Sequence, residues 1–262
     1  YVKVSVTGNC PVDSLRYLRE SGLPVPFSPS APSGGKGGSL LLTGTAEGDE
    51  EVLTIALSTK QLQKDSTTRQ TLTEAGALGL VTYAPQVRNV MIVPVNDAVA
   101  PSGSSAVKTV LDKVFAPALV SWNVTVEPAI TVSGITADGF STTGLAIGSR
   151  YTPHMNQVIK AYKATRKIPK NTLVLFFVTA PHSDKLGYMP LTGDYGFIFN
   201  LGSNLELLAH ELSHGAFNLK HTFSDDAYWR QRGPAPRFTE RSTQNLMDYA
   251  GGAELWKYQW DL

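Results

Sequence analysis

The pentapeptide His210-Glu211-Leu212-Ser213-His214 constrains this chain of 262 residues more than any other feature, because it fixes one helix and gives it a direction. It lies in a segment from Leu205 to Asn218 whose apolar residues Leu205, Leu208, Ala209 and Leu212 recur at helical spacing. Residues four apart on a helix stand one turn apart on the same face, so both imidazoles can reach one metal ion. Glu211 is rotated by about 100° from His210, which puts its carboxylate beside such an ion rather than on it. From there it can take a proton from a water molecule and deliver it to a leaving amine. Read alone, the pentapeptide is also compatible with a helix that carries two surface histidines and an incidental glutamate.

The context that decides is His221. Zinc in a hydrolytic site takes three protein ligands and keeps one position open. The same helix face cannot supply the third ligand a further turn on without blocking substrate, so the chain has to leave the helix and return. Gly215 and Asn218 lie between His214 and His221, and asparagine tolerates the left-handed conformation that ends a helix. A turn at Asn218 swings His221 towards the metal. A carboxylate, Glu240 or Glu254, is the alternative third ligand and would leave His221 free.

These residues, with Asn245-Leu246-Met247-Asp248-Tyr249 downstream, resemble the metzincins, zinc metallopeptidases with the motif H-E-x-x-H-x-x-G-x-x-H and a methionine in a tight turn beneath the metal. Here the third histidine comes one residue late, because Lys220 occupies its expected place and Asn218 stands where the family has glycine. A one-residue insertion in the turn reconciles the two. The resemblance implies Zn²⁺ held by His210, His214 and His221, Glu211 as general base and Met247 as the Met-turn residue. Tyr249 follows that methionine by two, as in astacins and serralysins, which implies a zinc ligand at rest or a donor to the oxyanion. It also implies a protein or peptide substrate lying antiparallel to an edge strand, for which Tyr188 to Phe199 is the candidate. Asp225 and Asp226 offer to orient a ligand histidine, against the plainer reading of exposed loop charges.

The wording around His214 to Ser224, Asn245 to Tyr249 and Leu255 to Leu262 is also similar to metallopeptidase domains at the ends of large bacterial surface and polymorphic-toxin proteins, notably of Bacteroidetes. That implies a secreted or cell-surface location and a fragment of a larger protein, in keeping with a first residue, Tyr1, that is not Met.

Two regions are expected. Residues 1–85 read as a β-rich pro- or accessory region, with strands at Val2 to Val6, Ser39 to Thr43 and Val52 to Leu57. A loop runs from Pro24 to Gly38, with Gly34 to Gly38 as flexible connector, and a short helix over Ser66 to Leu80. Residues 86–262 alternate strand, helix, strand, helix, strand, strand, helix, which gives an α/β (α+β) domain. By resemblance it is zincin-type and metzincin-like, with a mixed sheet. Its elements are a strand at Val90 to Val95, a helix over Ser104 to Ala118, and a strand over Val120 to Ile130. A helix over His154 to Lys167 and a strand over Leu173 to Val178 follow.

Composition narrows the function classes. Apolar residues make up 42% and charged residues 17%, with a net charge of +1 and no basic cluster, which speaks against nucleic acid as a partner. No apolar run reaches the ~18–20 residues that span a bilayer. The single cysteine, Cys10, excludes an intrachain disulfide. Cys10 or Asp49 offers an occupant for an open zinc position in a latent form, but neither has a motif around it, and an idle thiol is the plainer reading. His154 and His182 are expected in loops, away from metal. A non-catalytic binding or adhesion module with a vestigial zinc site is the remaining alternative. Glu211 argues against it, since a structural zinc site closes four protein ligands and has no use for a base.

Overall fold

A computed structural model describes residues 2–5, 15–25, 27–29, 37–40, 42, 48, 50–63, 67–101, 103–143, 150–179, 185–199, 204–224, 238–256 and 259. The chain divides into two compact units, Tyr1–Ala84 and Pro85–Leu262.

In the first unit, β1 (Val2–Ser5), β2 (Leu15–Leu18), β3 (Phe27–Pro29), β4 (Gly37–Leu40), β5 (Glu50–Leu62) and β6 (Thr68–Val81) form two antiparallel sheets. Their orders are β1-β4-β3 and β2-β5-β6. Leu15, Tyr17, Val25 and Leu53 make a small core. The helix expected over Ser66 to Leu80 is instead β6, paired with β5 from Glu50↔Val81 to Leu62↔Thr68. Thr68, Thr71 and Thr73 favour extended chain and Gly76 and Gly79 weaken a helix, so the long ladder to β5 wins. The loop expected from Pro24 to Gly38 contains β3 and the start of β4. Gly37 and Gly38, expected in a flexible connector, lie in that strand, while Gly34 to Lys36 lie outside the described residues.

The second unit is a mixed α/β fold. It comprises β7 (Gln86–Pro94), α1 (Ser104–Phe115), β8 (Val120–Val126), α2 (Pro153–Thr165), β9 (Thr172–Phe177), β10 (Gly187–Tyr188), β11 (Tyr195–Ile198) and α3 (Glu206–Phe217). The sheet order is β10-β11-β9-β7-β8, and β10 alone runs antiparallel. β9 is buried along its whole length, because helices cover both faces. Leu173, Leu175 and Phe177 point into one core with residues of α1 and α3, and Val174 and Phe176 into the other with residues of α2. Thr152 caps α2 by accepting the Met155 N–H at 3.3 Å, with Pro153 in the first turn where it loses no bond.

The extended stretch expected from Tyr188 to Phe199 is two strands. Pro190 has no N–H to give a ladder, Thr192 takes a left-handed φ of 55°, and Gly193 N–H donates to the Pro190 carbonyl at 2.9 Å. The edge is therefore the two-residue β10, and β11 lies inside the sheet. No helix among the described residues is long and apolar enough to cross a membrane.

α3 is tied to the rest of the unit by Leu208, Ala209 and Leu212 in the core and by Phe217, whose ring lies 5.4 Å from Phe115 and 6.2 Å from Trp122. Phe115 is fully buried. Phe115→Ala is expected to cost about 3–5 kcal/mol. Val99→Ala, at a residue 86% exposed, is expected to be near neutral. Urea unfolding followed by tryptophan fluorescence checks both.

Candidate metal centre

α3 ends where asparagine is needed. Asn218 has φ 56° and ψ 24°, its N–H donates to the Ser213 carbonyl, and the Leu219 N–H donates to the same oxygen at 3.1 Å. The reversal buries Leu219 in the core and brings His221 back over the helix face that carries His210 and His214. The ligand atoms of the three histidines lie within 4.8 Å of one another. Nε2 of His210 and Nε2 of His221 are 3.2 Å apart.

Two main-chain carbonyls set the tautomers. Nδ1 of His210 lies 2.7 Å from the Leu246 oxygen, and Nδ1 of His214 lies 2.6 Å from the Leu219 oxygen. A carbonyl only accepts, so each Nδ1 carries its hydrogen and each neutral ring turns a lone pair at Nε2 towards the centre. Burial lowers all three histidines. His214 falls to about 3, with His210 and His221 lowering it further, and His221 falls to about 4, with His210 and Lys185 adding to the burial. His210 is lowered by burial against the opposing bond to Leu246. Neutral imidazoles with converging lone pairs are a donor set that fits a divalent cation.

Glu211 is 5% exposed and its carboxyl is raised to about 8, chiefly by burial, while Lys185 and the bond from the Met189 main chain pull the other way. A bound divalent cation would act in the same direction as Lys185. The Tyr249 hydroxyl lies 3.2 Å from His221 Nε2, on a residue that is 46% exposed. Burial and the carboxylates of Glu211 and Glu240 raise its pKa, so the phenol keeps its proton at neutral pH. Phe223 stacks on His221, ring centroids 5.0 Å apart and 7° from parallel. His210, Glu211, His214, His221 and Tyr249 line one cleft of about 670 Å³, together with Gly187, Tyr188 and Lys185.

Met247 is fully buried in a turn closed by the Asp248 N–H on the Asn245 carbonyl at 3.0 Å. Its own carbonyl accepts the Thr222 N–H at 3.2 Å, so this turn holds both the helix and the His221 loop. The residue that holds the turn is Asp248, 3% exposed. It accepts main-chain N–H groups of Arg241 at 2.6 Å, Ser242 at 3.1 Å, Thr243 at 2.8 Å and Tyr249 at 2.7 Å, and the Thr243 hydroxyl at 2.8 Å. Burial alone would raise its pKa, but these bonds outweigh it and hold the carboxyl below the usual range. The sequence reading missed this role and that of the Leu246 and Leu219 carbonyls. An aspartate closing a turn after Arg-Ser-Thr was the available signal for the first, and a backbone oxygen leaves none.

Among the described residues the cluster contains only the three histidines. The carboxylate alternatives lie elsewhere: Glu240 is exposed beside Arg241 at 3.6 Å, and Glu254 is exposed and accepts from Trp256 Nε1 at 3.4 Å. His154, expected both at the start of a helix and in a loop, sits in the first turn of α2 with its Nδ1 3.2 Å from the Thr136 N–H, because Thr152 and Pro153 start the helix just before it. Cys10, Asp49, His182, Asp225 and Asp226 lie outside the described residues.

No protein-family model and no curated protein matches the chain. Solved structures with weak similarity to the chain include the following two. A chain of a chaperone–substrate complex has a TM-score of 0.39 and 9% identity, and the match covers 62% of this chain and 29% of that one. Archaemetzincin from Methanopyrus kandleri has a TM-score of 0.35 and 14% identity over 66% of this chain and 86% of its own.

Two outcomes follow from the geometry. Asn218→Gly is expected to keep metal content and melting temperature, whereas Asn218→Ala, forced left-handed at a cost of roughly 1–2 kcal/mol, should lower the melting temperature and weaken metal affinity by about tenfold. Competition with a fluorescent chelator measures this. The second concerns the chelated protein in a Glu211→Gln background, which removes a carboxyl whose raised pKa contributes with the opposite sign. The folded histidines stay neutral while the unfolded ones protonate near pH 6.5, so stability is present above that pH and is lost as pH falls from 7 to 5. A urea midpoint that is equal or higher at pH 5 would contradict it.

Proposed function

We propose that the chain is a zinc-dependent endopeptidase whose catalytic unit is Pro85–Leu262. The observation that carries this reading is the convergence of three neutral imidazoles with a buried carboxyl at their side in one open cleft. Three nitrogen ligands and an open side suit a catalytic zinc better than a structural one, which closes four ligands.

His210, His214 and His221 would hold the ion, with the Leu246 and Leu219 carbonyls fixing the first two rings. Zinc bound there would supply Lewis-acid polarisation of a substrate carbonyl and acidify a water molecule. Glu211 accepts the proton of that water as its oxygen adds to the carbonyl carbon, then delivers it to the nitrogen as the C–N bond breaks. Tyr249, protonated at neutral pH and at the cleft mouth, donates to the oxygen on which negative charge develops. Met247 takes the place of the metzincin methionine, as a buried residue of the turn that supports the histidines.

β10 is an edge of the sheet and lines the same cleft, so an extended protein or peptide substrate would bind there through main-chain hydrogen bonds. A secreted or cell-surface location, within a larger bacterial protein, rests on the resemblance of the C-terminal wording.

Digestion of a denatured protein mixture, read by mass spectrometry, is expected to show cleavage that a chelator abolishes and zinc restores. Glu211→Gln should retain metal and lose about 10²–10⁴-fold in kcat. Tyr249→Phe should lose about 10²–10³-fold with little change in KM. His221→Ala should lose metal, whereas Glu254→Ala should not. Unchanged cleavage with chelator, or by Glu211→Gln, would overturn the reading.

A further inference from the structure

Gly187 is an anomaly in β10. Glycine weakens a strand, and it is retained inside one where another group comes close or a bulge forms. Its φ is not in the left-handed region, so the backbone conformation does not call for it. The neighbour does. A Cβ on Gly187 would lie 2.7 Å from Glu211 Oε1, 2.9 Å from Cγ and 3.0 Å from Cδ. The whole end of the Glu211 side chain rests against the face of residue 187 where any other residue carries its side chain, and the Met189 main chain bonds to the same carboxyl.

Neither backbone is free to yield. β10 pairs with β11 at Gly187↔Ile198, and the Phe199 N–H donates to the Leu186 carbonyl at 2.9 Å. The helix opposite is held by the Thr192 N–H on the His214 carbonyl at 3.1 Å. The same helix packs closely against the chain after β10 at Gly215, where a Cβ would come within 2.6 Å of the Gly193 carbonyl oxygen. A Cβ at residue 187 therefore moves the one flexible group in the contact, the Glu211 carboxylate.

From this we infer that Gly187 is a positioning residue: its missing side chain is the seat that aims Glu211 at the reacting water. The inference rests on the peptidase reading, but it separates two effects that most active-site substitutions mix. Because the flexible end of Glu211 gives way rather than the backbone, Gly187→Ala should leave the fold and the three histidines intact while misplacing the base.

The test compares wild type, Gly187→Ala, Glu211→Ala and the double variant. Gly187→Ala is expected to bind zinc with wild-type stoichiometry and melt within about 2 °C of wild type. Its kcat should fall about 100-fold, the effect of misplacing a group by about 1 Å, while KM changes by less than about twofold. In the Glu211→Ala background, where no carboxylate remains to be displaced, the same substitution should change the residual rate by less than about threefold. Crystal structures of wild type and Gly187→Ala should show the carboxylate moved and the histidines in place. An undiminished kcat in Gly187→Ala, or the same loss in both backgrounds, would overturn the inference and leave the peptidase reading standing. Absence of chelator-sensitive cleavage by wild type would overturn both.

Discussion

The carbonyl oxygens of Leu246 and Leu219 accept from Nδ1 of His210 and His214, at 2.7 Å and 2.6 Å, and the rest of the site depends on these two bonds. Each removes the choice of tautomer from a buried ring and fixes the direction of its remaining lone pair. Without them either ring could rotate or shift its hydrogen, and the Nε2 atoms would face one another only part of the time. Both oxygens come from chain that has already left the helix. The Leu219 carbonyl belongs to the turn after Asn218, and the Leu246 carbonyl to the turn held by Asp248. The positions of two irregular segments are thus written into the protonation state of one helix.

Such a centre is costly to build. Two buried imidazoles and a third that is half-buried lose hydration, which is why burial lowers all three, and at His221 the Asp248 carboxylate opposes the shift without cancelling it. The opposing contribution comes from the core beneath. Leu208, Ala209 and Leu212 face the sheet while His210, Glu211 and His214 face the cleft, so a helix of twelve residues is buried on two sides for two different reasons. Asp248 does the equivalent work for the turn. Its buried carboxylate gathers main-chain N–H groups that no helix or strand ladder satisfies in this irregular turn.

Much of this was legible in the sequence, and the division has physical causes. Helix α3 and the turn after it could be read because apolar spacing and an asparagine with left-handed tolerance are properties of single residues. The buried strand β9 could be read for the same reason, since an unbroken apolar run has few other uses. What could not be read depends on a partner distant in the chain. β6 looks helical in isolation and is extended only because β5 offers it a ladder. β10 and β11 look like one strand until the Pro190 turn closes. The closeness of Gly187 to Glu211 follows from the docking of an edge strand on a helix, and no local pattern announces it.

His210 and His221 are only 11 residues apart, whereas the Leu246 carbonyl lies 36 residues from His210. A ligand set that close in sequence costs an unfolded chain little closure entropy to gather, so the denatured ensemble would retain some affinity for a divalent ion. An ion bound there would stabilise the native state only by the difference between the two affinities. Part of that difference would reside in the distant carbonyl, which is a partner of His210 only once the turn at Met247 has docked. The ion would thus act less as a staple for the chain than as a reporter of whether that turn is in place.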